Sequence, residues 1–156
     1  MNADPATPSS ASTQTAIVEH FKSFYRQFNA AKLDDIGAIY ADDIVFQDPV
    51  HRVSGIHALH HYFNEMCLNL RQCQFEYLDQ LVGPYSAYIK WHMHFAHTRL
   101  GDRTITVRGM THIEFDRKIY FHEDSYDLGQ MLYEHLPLLG PATRFLKRRI
   151  AHSGAD

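Results

Sequence analysis

QFEYLDQL (74–81), YSAYIKWHMHFAH (85–97), TITVRGMTHIEF (104–115) and IYFHEDSYD (119–127) are rich in Tyr, Phe, Ile, Val and Thr. Gly83-Pro84, Gly101-Asp102 and Asp116-Arg117 separate them, and such pairs punctuate a chain at turns. The pattern predicts four successive antiparallel strands. Side chains on a strand alternate between faces, so 85–97 divides into Ile89, Trp91, Met93 and Phe95 on one side and Lys90, His92, His94 and Ala96 on the other. Both rows cannot meet water. The ordinary inference buries the Trp91 row and leaves the Lys90 row wet.

Working outward toward the N-terminus, the period changes. Ile17, Phe21, Phe24 and Phe28 fall at helical spacing, with Thr13 or Thr15 available as cap, and predict an amphipathic helix ending near Asn29. Leu33, Ile36 and Tyr40 predict a second helix over 33–41, which Asp42-Asp43 breaks before a short strand at 44–46. A turn follows at Asp48-Pro49. Ser54-Gly55 can cap a third helix with the stripe Ile56, Leu59, Phe63, Met66 and Leu70. Residues 1–12 are small and polar and are expected to form a disordered tail. Past Leu128, one or two helical turns are expected before Pro137 and Pro141. The cluster Lys147-Arg148-Arg149 reads as a solvated helix face.

Composition narrows the function. The chain has 156 residues, 45% hydrophobic and 21% charged, which suits one globular domain. Fifteen Lys and Arg against eighteen Asp and Glu give a net charge of -3, which argues against nucleic acid as the main partner. The two cysteines, Cys67 and Cys73, are too few for a disulfide framework and read as reduced thiols. No apolar run reaches membrane-spanning length and no leader pattern is seen, so no membrane partner is expected and a cytoplasmic location is. Twelve histidines are the one compositional oddity, since imidazole most often does acid-base or metal work near neutral pH.

Three helices followed by a four-stranded meander make an α+β arrangement with the helices on one sheet face. FNAAKLDDIGAIYADDIVFQDPVHRVSG (28–55) and HALHHYF (57–63) resemble the nuclear transport factor 2-like superfamily, in its SnoaL-like and ketosteroid isomerase-like branch. GMTHIEFDRKIYFHEDSYDLGQM (109–131) is similar to the final hairpin of SnoaL-like polyketide cyclases and limonene epoxide hydrolases. The resemblance implies a cone-shaped fold, with N-terminal helices packed on a curved antiparallel sheet, in one domain over 13–151. It also implies that Asp48 occupies the general-base position of the isomerases. Their two oxyanion-donor positions fall on Phe24 and Thr111. Asp124 falls on the acid-base aspartate of the epoxide hydrolases, and His122 where those enzymes have tryptophan; Lys90 and His92 lie near their Arg-Asp pair.

The resemblance further implies that the Lys90 row looks into the cavity and that the Trp91 row lies on the outer sheet face. An exposed Ile-Trp-Met-Phe patch there supports a homodimer. The same parity on the last strand sends Tyr120, His122, Asp124 and Tyr126 inward. The resulting constellation is Asp124, His122, His92 and Asp48 for catalysis. Lys90, His94, Tyr62, Trp91, Thr111, Tyr120 and Tyr126 are expected to touch a small hydrophobic ligand. Three uses stay open: acid-base chemistry on an oxygenated compound without a cofactor, of isomerase, cyclase or hydrolase type; a pocket that only binds; and a divalent metal on His92-x-His94 with His122 or Asp124. Asp48 before Pro49 has a structural rival role, that of bonding nearby amides in a turn.

Overall fold

The structure is a computed structural model that describes residues 10–101 and 103–131, together with Phe145 and Arg148. The expectations for residues 1–9, for the turns around Pro137 and Pro141, and for Lys147 and Arg149 lie outside the described residues.

Helix α1 runs Ser10–Tyr25, starting three residues before Thr13 and stopping short of Asn29. It stops because the next residues pair with the sheet. The Phe28 amide donates to the Cys73 carbonyl at 3.0 Å and the Phe75 amide to the Arg26 carbonyl at 3.2 Å. Asn29 then caps a 3-10 helix, Ala30–Asp35, accepting from the Ala31 amide. The second expected helix survives only as this turn and a short α2, Ile36–Ile39, because strand β1 already begins at Tyr40 and runs Tyr40–Gln47. Asp42 and Asp43 do not break it. Both are solvated within the strand while Tyr40, Ile44 and Phe46 are buried.

A tight turn leads to β2, Arg52–Ser54, a strand whose three residues carry too little pattern to be read from sequence. Gly55 follows at φ 88°, a left-handed backbone that favours glycine, and its amide donates to the Ile44 carbonyl. Helix α3 is Ile56–Cys67, followed by β3 Leu70–Val82, β4 Ser86–His97, β5 Ile105–Phe115, β6 Ile119–Tyr126 and α4 Leu128–Met131. The four strands read from sequence are thus present, three with one-residue shifts at their ends; β3 starts four residues early, so Leu70, expected on the stripe of the third helix, opens a strand instead. The sheet order is β2-β1-β6-β5-β4-β3. Its β1–β6 pair is parallel and the other pairs are antiparallel, so the sheet is mixed where a purely antiparallel one was expected. Helices α1 and α3 cover one face. Tyr25 meets Phe75 of β3, Phe21 meets His122 of β6, and Phe63 meets Phe46 of β1.

Strand β4 presents the reverse of the parity that the resemblance implied. Ile89, Trp91 and Phe95 are buried under the helices, while Lys90 is exposed and His92 and His94 are half-buried on the outer face. The energetics favour this side. Burying an indole removes about 200 Å² from water, worth about 5 kcal/mol, whereas an unpaired buried lysine would cost energy. The ground for a dimer through the Trp91 row goes with it, since Trp91 is only 2% exposed within one chain.

The last hairpin holds a β-bulge. Phe115 pairs with Ile119 but Glu114 pairs with Phe121, so Tyr120 is the extra residue. Tyr120 is therefore turned outward, at 40% exposure, and does not join His122. Beyond the bulge the expected parity resumes, with His122, Asp124 and Tyr126 on the helix side.

Candidate active site

Asp124 terminates a buried hydrogen-bond line that starts on α1. The Tyr25 and Tyr40 hydroxyls lie 2.6 Å apart, and the Tyr40 hydroxyl lies 2.6 Å from His122 Nδ1. His122 Nε2 is 2.9 Å from Asp124 Oδ1, and Thr111 Oγ1 donates to the same oxygen at 2.5 Å. The Trp91 indole N–H donates to Thr111 Oγ1 at 2.8 Å. Elementary donor chemistry fixes the direction at the carboxylate end and at the indole end. An ionised carboxylate only accepts and an indole N–H only donates. With a neutral imidazole, the Nε2 proton goes to Asp124 and Nδ1 accepts from Tyr40, which in turn accepts from Tyr25. Donors from two sides converge on Asp124 Oδ1, and among the described residues no group hydrogen-bonds Oδ2.

The line is held by packing as well as bonding. His122 is 1% exposed, with Phe21, Phe46, Tyr25 and Tyr40 rings around it. Burial, with their mutual contact and the Asp124 charge, holds the Tyr25 hydroxyl well above the ordinary phenol range. Burial likewise raises Tyr40, although the Tyr25 hydrogen bond pulls the other way. Both phenols stay protonated. A chain of mutually polarised hydrogen bonds with every member satisfied is rigid, so Asp124 is pre-organised.

Asp124, with its side chain 18% exposed, borders a cavity of about 160 Å³. The wall is aromatic and aliphatic, from Tyr25, Phe28, Phe63, Phe75, Trp91 and Met93, and also includes Asp48, His97 and Tyr126. Asp48 does form the turn: its Oδ1 accepts from the Val50 and His51 amides, each at 2.7 Å, and its Oδ2 accepts from the Tyr62 hydroxyl. Burial first, then this bond, raises the Tyr62 hydroxyl and keeps it a donor. Tyr126 is also raised, by burial and then by the Asp48 and Asp124 charges. Among the described residues no group hydrogen-bonds its hydroxyl. Cys73 in the wall is pushed up to about 12 by burial and the neighbouring Cys67, so it stays a thiol.

Of the residues picked from sequence, the structure brings together Asp124, His122, Thr111 and Trp91 in the line, with Tyr126 and Asp48 in the wall of the same pocket and Tyr62 bonded to Asp48. It does not bring Lys90, His92, His94 or Tyr120 there. The first three follow the outer row of β4, and Tyr120 is displaced by the bulge. His92 is therefore not a partner of Asp124, and a metal shared between His92-x-His94 and His122 or Asp124 is ruled out by the sheet between them. The residues missed are Tyr25 and Tyr40. Tyr25 is one position after Phe24, and its aromatic neighbours gave no sign of which ring carried the useful hydroxyl. Tyr40 was read as the end of a helix stripe and is instead the first residue of β1.

A mixed sheet closed on one side by two helices over a pocket with an acid at its wall defines a class of small α+β pocket proteins. The chain belongs to the SnoaL-like domain family, whose model matches residues 21–122. Among solved structures it is similar to a protein assigned as a polyketide cyclase from Xanthomonas campestris pv. campestris. The two share 17% identity over 82% of this chain and 100% of that one, with a TM-score of 0.69. It is also similar to an epoxide hydrolase of the LEH type from M. tuberculosis, at 16% identity over 81% and 86%, TM-score 0.64. A third is a protein of ketosteroid isomerase-like fold from Catenulispora acidiphila, solved with trimethylamine, at 14% identity over 74% and 88%, TM-score 0.65. These likenesses establish the fold. No match is found among curated proteins. Among the described residues no helix is long and apolar enough to cross a membrane.

Proposed function

We propose that the pocket takes a small, mostly apolar, oxygenated compound and that Asp124 moves a proton on it, as in an isomerase, cyclase or hydrolase reaction. The observation that carries this is a pre-organised carboxylate, fed by donors on one oxygen, in a largely aromatic and aliphatic wall. Volume supports a substrate of ring size, since a cavity of about 150 Å³ is enough to bind benzene. Asp124 takes a proton from an acidic C–H or a water beside the ligand. His122 and Thr111 are positioning residues, whose N–H and O–H fix the carboxylate and offset its charge. Tyr126 is placed to donate to the ligand's oxygen as charge builds there, the part that oxyanion donors play. Thr111, at one of the isomerases' donor positions, is spent on Asp124, and Asp48 is spent on its turn, where it adds negative charge to the wall.

A panel of ring-sized ketones, enones, lactones and epoxides, followed by mass spectrometry, tests this. Turnover of at least one compound, reduced about 10²- to 10⁴-fold in Asp124→Asn, is expected. Turnover that survives that change would remove Asp124 from the chemistry.

One observation favours a second, non-catalytic use. Two carboxylates and several aromatic rings border the pocket, and among the described residues no lysine or arginine does. That chemistry suits an organic ammonium held by cation–π contact, and the Catenulispora acidiphila relative was solved with trimethylamine. Tetramethylammonium that quenches Trp91 fluorescence, while every neutral compound fails to bind, would favour this use.

A further inference from the structure

The row that left the pocket is itself organised. On the outer face of the sheet, Glu76 of β3 pairs across with His92 of β4, and His94 follows two residues along the same row. Glu76 Oε2 lies 3.4 Å from His94 Nε2 and 3.6 Å from His92 Nδ1. One ligand atom from each of the three lies within 4.8 Å of the others. Bonds of about 2.0–2.2 Å to a tetrahedral ion put its donors about 3.3–3.5 Å apart, close to both separations. The Thr106 hydroxyl, on β5, sits 2.8 Å from His94 Nδ1. A hydrogen bond to the nitrogen that does not ligate is the feature that orients metal-binding imidazoles and fixes their tautomer.

We propose that Glu76, His92 and His94 form a site for a divalent ion of the zinc class on the outer sheet face, away from the Asp124 pocket. Two imidazoles and one carboxylate are ligands of borderline softness, suited to zinc or cobalt rather than to calcium or magnesium. The ligands come from two hydrogen-bonded strands, so their backbones are fixed before the ion arrives. A fourth position faces solvent and takes water. Arg108 pairs across from His92 and Lys90 is the next residue along the row, so both share the face. Their positive charges oppose the ion and weaken its binding.

Tag-free protein titrated with Zn²⁺ by calorimetry, and with Co²⁺ by visible absorption, tests the site. A single equivalent is expected, with tetrahedral cobalt bands. Binding should weaken at least about 10-fold in H92Q, H94Q and E76Q and about 10-fold in T106V. R108Q should strengthen it several-fold, because it removes an opposing charge on the same face. The helix pair His57 and His61 is the internal control, and H57Q/H61Q should leave the affinity unchanged. No binding in the wild type would overturn the site, as would binding that H57Q/H61Q abolishes and H94Q spares. The Asp124 chemistry stands or falls separately, because D124N should leave metal affinity unchanged.

Discussion

Tyr40→Phe deletes one oxygen from the middle of the buried line and strands the groups on both sides of it. The Tyr25 hydroxyl loses its acceptor at 2.6 Å and His122 Nδ1 loses its donor at 2.6 Å. A buried polar group left unpaired costs about 1–3 kcal/mol, so two of them put the loss at about 3 kcal/mol or somewhat more. For a domain of this length that lowers Tm by about 6–12 °C. Tyr25→Phe strands much less, because Tyr40 still donates to His122 and only its own lone pair goes unserved; about 1 kcal/mol is expected. The double variant has no Tyr25 hydroxyl to orphan. Its loss should fall to about 2 kcal/mol, below that of Tyr40→Phe alone, giving a coupling energy near 2 kcal/mol in magnitude. Urea denaturation of the four proteins, at constant slope, measures the cycle. Losses that simply add to within about 0.5 kcal/mol would refute a continuous line from Tyr25 to His122.

Three further perturbations bear on the same structure. Gly109→Ala would drive a Cβ into Cη2 of the buried Trp91 ring, so stability should drop by about 1–3 kcal/mol and ligand quenching of the tryptophan should be lost. Scanning calorimetry and fluorescence titration of Gly109→Ala beside wild type check the two in turn. The raised Tyr25 and Tyr40 values predict stability that is complete below about pH 10 and falls above it, because the unfolded chain releases phenolic protons that the folded one retains. Each adds about 1.4 kcal/mol per pH unit to the slope. Alkaline denaturation should be visibly shallower in the Tyr25→Phe/Tyr40→Phe variant, and an identical slope would contradict the burial of both hydroxyls. Trp91→Phe removes the indole donor to Thr111, freeing the hydroxyl to turn. It should lower kcat on any identified substrate with a smaller change in KM, which steady-state kinetics would separate.

The strands were legible because alternation and turn residues at 83–84, 101–102 and 116–117 carry the meander without help from distant contacts. The third helix was legible for the same reason, its apolar stripe being local. The 26–41 stretch was not, because pairing of residues 26–28 with β3 and of Tyr40 with Ile119 are long-range events that override helical spacing. The parity of β4 was readable from amphipathicity alone: Ile, Trp, Met and Phe against Lys, His and His. The superfamily likeness carried a pocket-facing row across to a strand where the local chemistry pointed the other way. Asp124 and His122 lie past the bulge and kept their expected side, while Tyr120 sits at the bulge and lost it. The line from Tyr25 was beyond reach, since α1, β1 and β6 meet only in three dimensions.

Proton transfer by Asp124 is tested most directly by hydrogen isotope exchange on ring-sized ketones in D₂O, followed by NMR. The method detects abstraction of an acidic C–H proton whether or not a net product forms. The account predicts that a ketone that quenches Trp91 fluorescence also gains deuterium beside its carbonyl in the presence of the wild-type protein. It predicts that Asp124→Asn binds the same ketone and loses about 10²-fold or more of that exchange. Exchange equally fast in Asp124→Asn, or ketones that bind the pocket and never exchange, would contradict it.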